Sequence, residues 1–259
     1  MTPIIIISLF LPLIGTTLGS AMALFLKKEI SPPAQKILLG FASGVMLAAS
    51  IWSLLQPAIE FYEAGDFKSY IIPAIGFLVG IGFLLLLDYL VPHIHVNANQ
   101  EEGIIKSRTS KINKMMFAVI IHNIPEGLAA GILISSALTG HMSEQAVLIL
   151  AIGLAIQNLP EGAIISMPLR KEGLSRGKAF FYGFLSGVVE PIASLLALLA
   201  TFFVTTILPF TLAFAAGCMI YVVVEELIPE ANRGEHSNLA TIGLAIGFVL
   251  MMVLDIALA

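Results

Sequence analysis

Two hexads hold the residues best suited to chemistry in this chain: His122-Asn123-Ile124-Pro125-Glu126-Gly127 and Gln157-Asn158-Leu159-Pro160-Glu161-Gly162. Each sets an imidazole or a carboxamide four residues ahead of a carboxylate. On a helix, positions i and i+4 share one face, about 6 Å apart along the axis. His122 with Glu126 forms one two-toothed face, Gln157 with Glu161 forms another, and two such faces meeting make a pocket of four cation ligands. Pro125 and Pro160 have no N–H, so the carbonyls of Ile121 and Ile156 lose their helical donors and a kink is expected beside each carboxylate. Gly127 and Gly162 admit close approach of a neighbouring helix or an ion. Amides and imidazoles also serve simply as hydrogen-bonding glue between membrane helices, which would account for one hexad. Two hexads of the same form in consecutive apolar segments, each ending in a Glu, favour a functional site.

The elements that must position these residues are membrane spans. The chain has 259 residues, 58% hydrophobic and 12% charged, with mean hydropathy +0.97, which describes an all-α polytopic membrane protein rather than a soluble domain. Apolar runs of roughly 20 residues or more, at about 3–26, 34–59, 70–92, 113–138, 144–168, 178–203, 208–229 and 238–258, predict eight transmembrane helices. They are too long, and too uniformly apolar, for barrel strands. The first lacks a basic n-region and exceeds a signal-peptide core, so it counts as a span. Residues 1–259 then read as a single transmembrane domain with a cytoplasmic loop at about 93–112 and no room for a separate soluble domain. Cys218 is the one cysteine, so no disulfide framework exists. The net charge of −4 says little by itself, because much of it lies inside the membrane, and no nucleic-acid partner is expected.

Lys27, Lys28 and Lys36 flank the first loop, Lys106, Arg108, Lys111 and Lys114 the third, Arg170, Lys171, Arg176 and Lys178 the fifth, and Arg233 lies in the seventh. Only Lys68 falls in an even-numbered loop, so the positive-inside rule puts both termini on the non-cytoplasmic side, as expected for a prokaryotic plasma membrane. A weak internal repeat accompanies this topology. Phe41-Ala42-Ser43-Gly44-Val45-Met46 with Pro57 beyond it resembles Phe214-Ala215-Ala216-Gly217-Cys218-Met219 with Pro229 beyond it, in spans of opposite direction. Inverted repeats of this kind, here spans 1–3 and 6–8 about a central pair 4–5, belong to alternating-access carriers with a midplane site. Packing of small residues can also produce so short a match.

Ionisable groups at bilayer depth need a partner or a watered path. Glu190, in Gly187-Val188-Val189-Glu190-Pro191, reaches the layer of Glu126 and Glu161, and no basic residue lies near any of the three in sequence. Three carboxylates cannot all stay ionised there unless a divalent cation supplies the opposing charge; otherwise some hold protons. Imidazole with carboxylate suits zinc, iron or manganese better than sodium, potassium or calcium, whose sites are built from oxygen. Asp88 near the inner end of span 3, and Glu225 and Glu226 with Glu230 near the inner end of span 7, form a second acidic group that can line an exit to the cytoplasm. Glu230 reads more simply as an interfacial snorkelling residue. Asp255, near the outer end of span 8, either recruits cations at the entrance or faces water. His93 and His95 in the long loop suit handing a soft cation onward and equally suit a solvated pair without a metal role. Met46 and Trp52 read as packing and interface residues.

At these residues the chain resembles the ZIP family of divalent-metal transporters, and within it the GufA-type branch. The matched hexads carry the resemblance, the second running on to Ser166-Met167-Pro168-Leu169-Arg170, and it covers the whole chain. It implies a 3+2+3 helix arrangement, an elevator-like or rocking movement of a transport unit against a scaffold, and a homodimer. It further implies a first metal site on His122, Glu126, Gln157 and Glu161, and a second on Asn123, Asn158, Glu161 and Glu190 with Glu161 bridging. Asp88, Glu225, Glu226, His93 and His95 match places linked to metal release, and Asp255 matches an outer-mouth acid. Asn158 stands where some members have Asp, which removes a charge from the second site. Gln157 stands where others have His, which weakens zinc preference and leaves room for iron, manganese or cadmium.

The expected function is import of a divalent metal, zinc foremost, with the metal as substrate and no cofactor. A proton-coupled carrier of another solute is the alternative. An intramembrane metalloenzyme fits worse, because a zinc peptidase would need two histidines around a catalytic Glu, as in His-Glu-x-x-His, and this chain offers one intramembrane His.

Overall fold

The computed structural model describes residues 2–26, 30–91, 111–202 and 207–258. Among the described residues there is no strand, and eight helices are long and apolar enough to cross a membrane, as an integral membrane protein requires. These are α1 (Pro3–Phe25), α2 (Pro32–Glu60), α3 (Lys68–Leu90), α4 (Lys111–Leu138), α5 (Glu144–Lys171), α6 (Arg176–Phe202), α7 (Leu208–Ala231) and α8 (Leu239–Leu258). They match the eight expected spans to within a few residues, and local signals set their ends. Pro3 and Pro32 occupy first-turn positions where no N–H is needed, and the Ser143 side chain caps α5 by accepting from the Ala146 N–H at 3.1 Å.

Lipid tails are as apolar as leucine, so membrane helices associate through close packing at small residues. Four tight pairs result: α1 with α5, α4 with α6, α2 with α8 and α3 with α7. A side chain at Gly15 would strike the Ala155 carbonyl, one at Gly131 that of Ser194, one at Gly44 that of Leu244 and one at Gly217 that of Phe77, so each pair meets backbone to backbone. Through α1 against α6 and α2 against α7, the pairs gather into two four-helix groups, α1/α4/α5/α6 and α2/α3/α7/α8. Contacts of α5 with α2 and of α4 with α7 form the seam between the groups. Only 22% of the most apolar stretch of α3 and of α8 is buried, against 72% in α4 and 67% in α5, so the hexad helices occupy the interior.

Both hexad helices continue through Pro125 and Pro160. The prolines of α2 and α7 act differently. Pro57 would clash with the carbonyl of Ser53, and Pro229 with that of Glu225, in a regular α-helix. The chain widens instead into π-helical turns at Ser50–Leu55 and Val223–Leu227, with Gln56 N–H reaching back to Ile51 O and Ile228 N–H to Val223 O. Sequence reading missed both turns, although the prolines marked their places.

Candidate metal centre

Asn123 and Glu126 on α4, Gln157 and Asn158 on α5, and Glu190 on α6 are each no more than 2% exposed. The side chains join in one chain of hydrogen bonds. Gln157 Nε2 donates to Glu126 Oε1 at 2.5 Å and to Asn158 Oδ1 at 3.2 Å. Asn158 Nδ2 donates to Glu190 Oε2 at 2.8 Å, and Asn123 Nδ2 lies 3.4 Å from Glu190 Oε1 and 2.9 Å from the Ser186 carbonyl. The backbones allow this convergence because Gly127 has no side chain to meet the Glu190 carbonyl and Gly162 none to meet that of Thr16.

Helix α1 adds residues that sequence reading did not find. Thr16 Oγ1 donates to Glu190 Oε1 at 3.1 Å, and the Pro12 carbonyl accepts from Asn158 Nδ2 at 3.4 Å. Neither can ionise and neither belongs to a hexad, so the sequence carried no signal for them. On α6, Ser194 Oγ donates to the Gly127 carbonyl at 2.8 Å and ties α4 to its partner.

Donors and acceptors are distributed unevenly along this chain. Glu190 receives three donors. Asn123 Oδ1, Glu126 Oε2, Gln157 Oε1 and Glu161 Oε1 are buried and receive none among the described residues. Each such acceptor costs about 1–3 kcal/mol when water is removed and no donor replaces it. Four of them lie on two adjoining helices, and among the described ion pairs none joins Glu126, Glu161 or Glu190 to a lysine or arginine. Lys114, the buried cation of α4, lies two turns from His122, about 12 Å along the axis. A cation could satisfy all four acceptors at once.

His122 has a partner outside both hexads. Its Nε2 contacts Glu226 Oε2 on the π turn of α7, across the seam. Among the described residues no three His, Cys, Asp or Glu side chains are gathered at metal-binding distance. Glu226 is buried while its neighbour Glu225 is exposed, so the expected acidic pair divides between interior and surface. Asp88 accepts from the Tyr221 hydroxyl at 3.2 Å, joining α3 to α7. Asp255 is buried, with one carboxylate oxygen accepting from Ser53 on the π turn of α2 at 2.7 Å and the other without a donor among the described residues. Glu230 pairs with Arg233 at 3.0 Å near the surface, and Trp52 packs edge-on against Phe248. His93 and His95 lie outside the described residues.

Comparison with known proteins agrees with the resemblance read from the hexads. A family model described as ZIP Zinc transporter matches residues 98–255. The chain is 36% identical to "Zinc transporter ZIP11" of Xenopus tropicalis over 85% of this chain and 87% of that protein. It is 38% identical to "Zinc transporter ZIPB" of Bordetella bronchiseptica over 94% of this chain and 78% of that protein. It is 36% identical to "Zinc transporter GufA" of Myxococcus xanthus over 95% of this chain and 96% of that protein. All three are named as transporters rather than enzymes. With these relatives, eight spanning helices and both hexads in the buried interior, the chain belongs to the ZIP family of zinc transporters.

Proposed function

We propose that the protein carries Zn²⁺, or a similar divalent transition metal such as Cd²⁺, Fe²⁺ or Mn²⁺, into the cytoplasm. The ion passes through a midplane site on α4, α5 and α6. The observation that carries this reading is the set of four buried acceptors without donors on Asn123, Glu126, Gln157 and Glu161. Lipid leaves such a set unsatisfied at bilayer depth, whereas a divalent ion satisfies it. His122 completes the ligand set when its imidazole leaves Glu226.

In this reading residues 1–259 act as one domain and the two four-helix groups move against each other by alternating access. The pairing of helices supports it. Exchanging helices 1, 2, 3 and 4 with 6, 7, 8 and 5 turns the α1/α5 pair into α6/α4 and the α2/α8 pair into α7/α3, as an inverted repeat requires. The π turns of α2 and α7 fall at corresponding places before Pro57 and Pro229. All the midplane residues ride on the α1/α4/α5/α6 group, and Glu226 on the other. Ions enter past Asp255 and leave past Glu226, Asp88, Glu225, His93 and His95, with both termini on the outer side of a plasma membrane and the molecule as a homodimer. The three donors on Glu190 stand in for a second cation, so one ion travels at a time.

Flux of Zn²⁺, Cd²⁺, Fe²⁺, Mn²⁺ and Ca²⁺ into proteoliposomes tests the proposal. Uptake of transition metals that is lost in Glu126→Ala and Glu161→Ala is the expected result. Full uptake by both variants, or flux of none of these ions by the native chain, would remove it.

A further inference from the structure

A cavity of about 240 Å³ opens where α2 ends, α4 turns into α5 and α7 begins, and none of the midplane residues lines it. Its walls include Glu60, Phe61, Ser136, His141 and Met142. We propose that this cavity is a separate, outer binding site for a borderline-soft divalent cation, with the His141 imidazole, the Glu60 carboxylate and the Met142 thioether as ligands and Ser136 behind them.

His141 is held in place before any ion arrives. Helix α4 closes in a Schellman motif, with Gly140 at φ 77°, the Gly140 N–H on the Ala137 carbonyl at 3.1 Å and the His141 N–H on the Ser136 carbonyl at 2.9 Å. The ring stacks on Phe61 with centroids 5.4 Å apart and planes 23° apart. Its Nδ1 lies 3.1 Å from Thr139 Oγ1, and the Thr139 hydroxyl donates its own proton to the Ser135 carbonyl at 2.9 Å. In the tautomer that this contact favours, the hydroxyl oxygen accepts from Nδ1–H and Nε2 is left for an ion. A metal-ligating histidine is arranged in the same way, one nitrogen donating to an outer partner and the other free for the ion.

Glu60 is the neighbour of Phe61, and one of its oxygens accepts from Gln56 Nε2 at 2.8 Å, which orients the carboxylate. Ser136 Oγ, behind these ligands, is fully buried and has no hydrogen-bond partner among the described residues. Imidazole nitrogen, carboxylate oxygen and thioether sulfur together favour Zn²⁺ and Cd²⁺ over Ca²⁺ and Mg²⁺, which take oxygen ligands. Glu60 and Phe61 belong to one four-helix group, and His141 and Met142 to the turn leaving the other. An ion held here bridges the groups at the mouth of the seam and raises the local metal concentration at the entrance. That capture role rests on the transport reading above; binding of the ion does not.

The test uses the full chain in nanodiscs with Glu126→Ala and Glu161→Ala together, so that both carboxylates of the first midplane site are gone, and titrates it with Cd²⁺ alone. Residual Cd²⁺ binding that weakens at least about tenfold on adding His141→Ala, and also weakens on adding Glu60→Gln, is expected. His141→Gln, an exposed and conservative change, guards against misfolding and should weaken binding as well. Absence of residual binding, or binding indifferent to both positions, would overturn the site. Binding that depends on His141, together with a native chain that moves no metal into proteoliposomes, would sink the transport reading and leave the outer site standing.

Discussion

His122 on α4 and Glu226 on α7 touch across the seam between the two four-helix groups, joining the hexad to the far wall of the bundle. Sequence spacing directs His122 toward Glu126, yet in the folded chain its imidazole is engaged by a carboxylate from another helix. Any relative movement of the groups must break or rebuild this contact. In the proposed site Glu226 and a bound ion would compete for the same nitrogen.

The first prediction follows from that competition. Glu226→Gln leaves a polar side chain of the same size and removes the charge that holds the imidazole, so His122 becomes more available to the ion. Metal should bind more tightly and leave more slowly. In proteoliposomes the metal concentration for half-maximal uptake should fall while the maximal rate drops several-fold. Unchanged values of both would show that the contact has no part in transport.

Glu126→Gln separates function from fold. The carboxylate lies among acceptors without donors, and an amide adds two N–H groups to a region already rich in lone pairs. Metal uptake should disappear, yet the chelator-treated protein should become more stable, by up to ~1–3 kcal/mol if one orphan acceptor gains a donor. Thermal unfolding in detergent reads the second effect. A variant that is destabilised and still transports would assign Glu126 a structural role.

The eight spans and both hexads were legible in the sequence because bilayer thickness imposes run length and because a carboxylate inside such a run is conspicuous. The partner of His122 was not. Glu225 and Glu226 are one residue apart, roughly 100° around a helix, so deciding which faces inward needs the helix phase. The π turn at Val223–Leu227 shifts that phase beyond what periodicity can track. Thr16 was missed for a different reason: it carries no charge, and its importance comes wholly from Glu190, which lies 174 positions away. The cavity around His141 assembles from three chain segments and leaves no local pattern.

Backbone contact within the pairs makes its own prediction. A valine at position 162 would drive its Cβ into the Thr16 carbonyl of α1, while an alanine at position 82 meets nothing within 4 Å. Gly162→Val should abolish folded protein in detergent chromatography. Gly82→Ala should leave folding and uptake intact and add up to about 1 kcal/mol of helix stability. If the valine variant folds and transports normally, α1 does not dock on α5 at this depth.

Acidification should slow uptake. Imidazole and carboxylate bind metal only when deprotonated, so protons compete with the ion as pH falls through the ordinary imidazole range near ~6.5 and below. At subsaturating metal the rate should decline between neutral and mildly acid pH, and raising the metal concentration should restore it. A rate that climbs with acidity in the absence of a proton gradient would point to the proton-coupled alternative.

Asn158→Asp tests whether one ion or two are carried. The native amide donates to Glu190 at 2.8 Å and to the Pro12 carbonyl at 3.4 Å, so it neutralises the place where a second cation would sit. An aspartate there loses both hydrogen bonds and sets a carboxylate directly against Glu190. Without metal the variant should be destabilised, since two buried like charges at this distance cannot both remain ionised. With Cd²⁺ or Zn²⁺ present, the lost stability should return and the bound stoichiometry should rise from one ion per midplane site to two, counted in the His141→Ala background so that the outer site does not contribute. A stoichiometry of two in the native chain would mean that the donors on Glu190 give way to an ion, and that Asn158 does not limit the site to one.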